Sequence, residues 1–535
     1  MLDWIKDRLR RREDGPAALL QRAERALREG APDEAREICV AVLGRSPDEP
    51  RALSLMANIA ADLRQVEEGL RWARLATAAD PGAAAPHYSS GRLWELAGRP
   101  ERAEASYRQV IRLDPNHAKA HNNLGCVLSL QGRLAEALDC YRRALQLDPE
   151  QPEANQNYAA MTSDAGALEA AIQGYLHQTQ KDSTDARAFN NLGNIYVGMG
   201  RNAEAMANLE RAIALDPNRA EAHYSRSVLL LSEGDYAAGW KEYEWRWRLD
   251  SPLSAPARRF PQPMWDGREL GGGALLMHGE LALGESVQFV RYARLAAARC
   301  GSVIFECAPR LRSLLQGVEG VGQITTPGEV LPPFAAHIPL FGLPGVFGTT
   351  LENIPWNGPY IRADPGRVAE WRPLIESTGK ARFKVGLVWS GNPDLIYNRD
   401  RSIAPEALAP LQKVPGVALY SLQKGAAGAN AGPQAAPTMS LIDLTAHERD
   451  FMDTVAFISH LDLVITVDTM ISALAGAMGA QVWVLLSRIP DWRHHLERSD
   501  NPWYPTMRLY RQTRDGEWAQ VVEQLAKDLR GMASA

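Results

Sequence analysis

Cysteine is scarce in this 535-residue chain, and the five present (Cys39, Cys126, Cys140, Cys300 and Cys307) are scattered and nowhere spaced as CxxC. An odd, unpatterned set excludes a disulfide framework and points to free thiols in a reducing compartment. Long apolar runs are missing too. No stretch approaches the roughly 18 residues a membrane span needs. The opening MLDWIKDRLRRRED lacks the apolar core of a secretory signal and reads as a solvated first helix, so a cytoplasmic protein is expected. There is no excess of basic residues: 59 Lys and Arg against 64 Asp and Glu leave a formal charge of −5. That balance excludes a surface built to coat nucleic acid.

Several motifs are absent as well. Gly279 and Gly284 are too far apart for GxGxxG, and GxxxxGK[ST], HExxH and GxSxG do not occur. A P-loop, a zinc peptidase and a nucleophile-elbow hydrolase are thereby left without support. No D-x-D pair exists to hold a divalent metal on a nucleotide sugar, so no metal and no cofactor are expected. Any phosphate bound here would be met by backbone N–H groups and by Lys or Arg.

What is present begins with a 34-residue clock. Asp-Pro recurs at Asp80-Pro81, Asp114-Pro115, Asp148-Pro149 and Asp216-Pro217, with Asp182 and Asp250 keeping the phase. Glycine keeps it at Gly98, Gly132, Gly166, Gly200 and Gly234, and an aromatic at Tyr107, Tyr141, Tyr175 and Tyr243. Two helical patterns per 34 residues resemble the tetratricopeptide repeat, in which each unit buries its face against its neighbour. Five clear repeats and a degenerate one near residues 16–49 predict an α-solenoid over 1–250. Asn123, Asn157 and Asn191 share one phase, and Asn122 and Asn190 the neighbouring one. Stacked amides offer both donors and acceptors to an extended peptide, and the pattern resembles the asparagine ladder of the nucleocytoplasmic O-GlcNAc transferase. The alternative is that these amides only cap or solvate helices. His87, His121 and His223 also share a phase, with His117 four before His121, and packing is the expected role. Trp240, Tyr243 and Trp247 are read as one apolar face capping the repeats.

From about residue 270 short apolar runs alternate with helical patterns, which predicts parallel sheets with crossover helices. Expected strands are 274–277, 303–306, 384–389, 418–422, 463–467 and 481–485. A Pro/Gly-rich link at 327–365 separates an α/β lobe at 268–375 from a second at 380–535. Ligands in such sheets sit beyond the strands' carboxyl ends. The polar residues there are His278, Glu280 and Glu285, then Ser390, Gly391 and Asn392, then Gln423 and Lys424, then Asp468 and Thr469. The loop 425–437 has no periodic pattern and is expected to move.

HGELALGESVQFVRY (278–292), VGLVWSGNPD (385–394), RDRSI (399–403), YSLQKG (420–425), TVDTMISALAGAMG (466–479) and PDWRHHLERSDNPWYPTMRLYRQ (490–512) occur in this order. Together with the repeats they resemble bacterial proteins that fuse tetratricopeptide repeats to a GT-B glycosyltransferase of the heptosyltransferase/O-GlcNAc-transferase type. Some of these are implicated in flagellin glycosylation. The resemblance implies two Rossmann-like lobes and an inverting, metal-independent transferase, moving a nucleotide-activated sugar to Ser or Thr of a bound protein such as flagellin. It places Ser390, Gly391, Asn392 and Arg401 at the donor phosphates, Lys424 at the leaving group and Asp468-Thr469 at phosphate and sugar. It makes Glu285 the general base, with His278 and Glu280 as rivals. Two departures stand out: relatives usually carry Asp at position 285, and a histidine where this chain has Ala473. These leave open an altered donor, such as a CMP-activated nonulosonic acid, a lipid or saccharide acceptor, or a scaffold with a degenerate transferase domain.

Overall fold

The computed structural model describes residues 15–534, except 29–30, 64, 132, 149–150, 152–153, 155–156, 159–164, 250–259, 280–282, 379–382, 392–400, 425–439 and 515. The N-terminal segment, Glu280, Asn392 and the loop 425–437 therefore lie outside the described residues. The chain divides into two compact units, Met1–His177 and Gln178–Ala535, with the boundary inside the helix Ala165–Lys181.

In the first unit helices pair in register. Pro16–Arg28, Pro50–Asp62, Ala84–Leu96 and Ala118–Leu130 start 34 residues apart, each followed by its antiparallel partner. The stretch read as a degenerate repeat is thus a regular pair, because Pro16 and Pro32 start its helices as well as alanine does. The clock residues have distinct duties. Asp114 ends a helix, and its carboxylate accepts from the Asn116 amide two residues on (3.1 Å), bridging one repeat to the next. His121 Nε2 lies 3.1 Å from the Pro115 carbonyl, inside that turn. A Cβ on Gly125 would come within 2.6 Å of the Tyr141 ring, so glycine there sets how closely paired helices approach.

The second unit repeats the pattern with Ala186–Gly198 and Asn202–Leu215, then Ala220–Glu233 and Tyr236–Tyr243. Here His223 Nε2 takes up the same place against Pro217 (3.1 Å) as its counterpart in the first unit. Gly234, in the left-handed region, ends its helix. Tyr236 and Trp240 then pack against Trp492 and Trp503. Trp503 Nε1 donates to the Tyr236 hydroxyl (3.0 Å), and Trp240 Nε1 to the Thr349 carbonyl (3.1 Å). The expected aromatic face needs one correction. The helix stops at Tyr243, and Trp247 falls in the 3-10 turn Glu244–Arg248 beneath the Arg246 guanidinium. The more deeply buried Tyr236 takes the leading part.

Two parallel sheets follow. The first has β1 (Ala274–His278), β2 (Ser302–Glu306), β3 (Gln323–Thr325) and β4 (Ala336–Pro339), in the order β3-β2-β1-β4. The second has β5 (Phe383–Val388), β6 (Val417–Ser421), β7 (Ile442–Asp443), β8 (Leu463–Val467), β9 (Val482–Leu486), β10 (Asp500–Asn501) and β11 (Tyr504–Arg511). Its order is β10-β11-β9-β8-β5-β6-β7, and only β10 runs antiparallel to its neighbour. All six expected strands form. The link at 327–365 is not only a link, because it contributes β4, which pairs with β1. The eight-residue β11 has no counterpart among the expected strands. Pro505 and its two arginines mask the apolar signal, and burial against β9 overrides that local chemistry. No helix among the described residues is long and apolar enough to cross a membrane.

Candidate functional site

Strand order brings distant loops together. In the first sheet β2 and β3 lie on one side of β1 and β4 on the other; in the second, β6 and β7 lie on one side of β5 and β8 on the other. The carboxyl ends of parallel strands at such reversals leave a crevice that crossover helices cannot fill. A cavity of about 960 Å³ opens there, lined from both sheets. Of the residues anticipated from sequence, Glu285, Ser390, Gly391, Arg401, Gln423, Lys424, Asp468 and Thr469 line it. Their loops are far apart in the chain.

His278 is not among the lining residues. It ends β1 with its Nε2 3.2 Å from His337 Nδ1, beside Phe260. Glu285 is buried in the first turn of the helix Leu283–Phe289, which packs against the start of the helix Met470–Ala477. Arg493 faces it. Burial alone would lower this guanidinium, but the carboxylates of Asp491, Glu285 and Asp468 outweigh that and hold the cation in place.

Gln423 supports the site through the loop after β5. Its amide oxygen accepts from the Trp389 and Ser390 N–H groups (3.0 and 2.9 Å), and its nitrogen donates to the Ser390 carbonyl (2.9 Å). With the amide engaged this way, Gln423 shapes the Ser390 turn. Lys424 is ion-paired to Glu448 at 2.8 Å, bonded to Thr454 and set over the Phe451 ring. Burial pushes the Glu448 carboxyl up, against the pull of Lys424. Thr469 is the N-cap of the helix Met470–Ala477, its hydroxyl accepting from Ile471. Capping therefore does not fall to Asp468, whose carboxylate faces the cavity.

Asp468 meets a histidine after all. Ala473 stands where the family resemblance implies one, but His494 Nε2 is 3.1 Å from Asp468 Oδ1. The imidazole's orientation is set from behind. The Trp503 N–H donates to Asn501 Oδ1 (2.8 Å), which turns Asn501 Nδ2 toward His494 Nδ1 (3.0 Å). Nδ1 is then the acceptor, and Nε2 carries the hydrogen that points at Asp468. Burial alone would raise the Asp468 carboxyl, but His494, with Arg493 and Arg401, holds it well below the usual carboxylate range. Arg401 also donates to the Asp468 carbonyl (3.1 Å). The backbone explains how neighbouring histidines reach different places. His495, with φ of 54°, is the one non-glycine residue in the left-handed region among those described. His494 faces the cavity, while His495 Nε2 sits 3.1 Å from the Tyr236 hydroxyl.

Arg493, His494 and Asn501 are among the cavity residues that sequence reasoning did not single out. They lie in PDWRHHLERSDN, away from the end of any anticipated strand, and the adjacent arginine and histidines were the available signal. Among the asparagines, Asn122, Asn190 and Asn191 are buried. In the first unit Asn157 donates to Asn122 (2.9 Å), Asn122 to Asn123 (3.1 Å), and Asn123 to the Tyr107 hydroxyl (3.2 Å). These amides knit neighbouring repeats together, and of them Asn123 and Asn157 are half-buried. In the second unit Asn190 donates to Asn191 (3.3 Å). Among the described residues no group of three or more metal-ligating side chains gathers, His117 and His121 included.

Comparison with known proteins bears on the helices most directly. Residues 87–117 and 118–151 match tetratricopeptide repeat families, and residues 193–234 match the TPR repeat family. The chain is similar to Protein FlbA of Caulobacter vibrioides, 28% identical over 381 residues, 65% of this chain and 62% of that protein. It thus spans less than two thirds of that relative's length. Among solved structures it is similar to YrrB, described as a TPR protein with an unusual peptide-binding site, at 21% identity. That match covers 35% of this chain and 97% of YrrB, with a TM-score of 0.27. A thermophilic TPR protein of Thermus thermophilus is 20% identical over 34% of this chain and 98% of its own, with a TM-score of 0.30. Residues 87–151 and 193–234 are tetratricopeptide repeats, elements that present surfaces for protein partners.

Proposed function

We propose that this chain is a protein O-glycosyltransferase of the GT-B type. Its repeats hold an acceptor protein, and its cavity moves a nucleotide-activated sugar to a Ser or Thr hydroxyl. The observation that carries this reading is the convergence, in one cavity of about 960 Å³, of a buried carboxylate from the first sheet with cations and a capped helix start from the second. In the reaction the acceptor oxygen attacks the anomeric carbon and the bond from that carbon to the phosphate oxygen breaks. The hydroxyl proton passes to Glu285, and the phosphate leaves with the bonding pair. Arg401, Arg493 and the amides opening the helix Met470–Ala477 are arranged to stabilise that leaving charge. His494 orients Asp468 and supplies an imidazole that Ala473 cannot. This favours a working site over a degenerate one. Flagellin as the acceptor rests on the family resemblance.

Thermal shift with UDP, GDP, ADP and CMP species tests the cavity. A true donor nucleotide at a hundredfold its Kd stabilises the fold by about 2.7 kcal/mol, and absence of any shift refutes the enzyme reading. Given binding, Glu285→Gln is expected to slow transfer by about 10²–10⁴-fold with nucleotide affinity retained. The intact mass of host flagellin with and without this protein then checks the acceptor.

A further inference from the structure

A second cavity of about 420 Å³ lies between the helical segment 291–295, the turn 313–319 and the stretch 355–362. Arg291, Arg294 and Arg362 line it, and Glu319 is the single carboxylate among its described lining residues. Arg291 is buried, with 6% of its surface exposed. Its guanidinium donates to the Gln288 carbonyl (2.8 Å), the Trp503 carbonyl (2.7 Å) and the Tyr360 hydroxyl (2.8 Å). The Tyr360 and Tyr504 rings lie 5.0 and 4.6 Å from it. Every one of these partners is neutral, and burial keeps the Tyr360 phenol protonated. A buried cation solvated only by dipoles and π faces lacks its counter-charge. Arg294 and Arg362 are exposed at the rim, and neither forms an ion pair among the described residues. Arginines elsewhere in this unit commonly do, as Arg367 with Asp450 and Arg449 with Asp453.

We infer that this cavity is a binding site for a small polyanion bearing phosphate or carboxylate groups, held by Arg291 from beneath and by Arg294 and Arg362 at the mouth. Planar guanidinium forks suit the paired oxygens of either group. The bound anion supplies the charge that balances Arg291. Arg291 bonds the Gln288 and Trp503 carbonyls, and both of those residues also line the large cavity.

The test is calorimetric titration of the full chain with pyrophosphate and, separately, citrate; it reads binding alone and so stands apart from the transferase proposal. The wild type is expected to bind at least one probe saturably, and the preferred probe tells phosphate from carboxylate chemistry. The rim variant Arg294→Gln/Arg362→Gln, altered only at exposed positions, is expected to bind at least about tenfold more weakly. The same comparison in an Arg401→Gln background, which weakens any phosphate binding in the large cavity, is expected to show the same dependence on the rim arginines. No saturable binding to the wild type, or unchanged affinity in the rim variant in either background, overturns the inference.

Discussion

Lys424 shows how a residue singled out for ligand chemistry also carries structure. Its side chain is one third exposed, yet it neutralises Glu448, whose side chain is only 5% exposed. Removing the lysine strands a buried carboxylate. Lys424→Met should cost about 2 kcal/mol in chemical denaturation, discounted from a fully buried pair for solvent screening. Glu448→Gln in the same chain should recover most of that loss, because the stranded charge disappears with it. Nucleotide binding should not return in the double variant, since the cation is still gone. Recovery of both would make Lys424 purely structural. A similar division of labour separates Gln423, engaged with the Ser390 turn, from Asp468, ionised and facing the cavity.

At the scale of elements, the repeats depend on glycines that sit under a partner helix. A Cβ at Gly125 would meet the flat Tyr141 ring at 2.6 Å, whereas one at Gly193 would meet the branched end of Leu209 at 2.7 Å. A ring held between helices cannot step aside, but an aliphatic side chain can change rotamer. Gly125→Ala should therefore lower stability by about 1–3 kcal/mol. Gly193→Ala should come out near neutral, because the roughly 1 kcal/mol gain in helix propensity offsets the smaller strain. Thermal melts of the two variants decide this, and equal losses would mean that Leu209 is as fixed as Tyr141. The junction after Gly234 follows a different rule, in which ring-to-ring packing and two indole hydrogen bonds hold the helix Tyr236–Tyr243 to the α/β part.

For the whole molecule, the compact unit Gln178–Ala535 contains repeat helices as well as both sheets. Trp503, fully buried, is covered by Tyr236 from a repeat helix. A chain beginning at Gln178 should consequently unfold in one cooperative transition. A chain beginning at Phe260 would uncover the Trp492 and Trp503 surface, and should melt about 10 °C lower or aggregate. Scanning calorimetry of the two truncations tests this. Matching melting temperatures would show that the sheets need no helical cover.

The sequence by itself determined whatever repeats or alternates over short distances. The 34-residue clock predicted helix starts that recur at Pro16, Pro50, Ala84 and Ala118, and the strand expected at 463–467 is β8 itself. Local periodicity is enough for such elements, because a buried face must recur with the period of the backbone that carries it. It also showed which polar residues follow the strands. Tertiary structure alone decided which of them meet. Strand order draws Glu285 and Asp468 to one cavity, while pairing with His337 holds His278 outside the lining. The Asp468–His494 pair and the neutral surroundings of Arg291 likewise depend on partners dozens to hundreds of residues away. No local pattern encodes such partners, since they come together only when sheet order and burial select one packing for the whole unit.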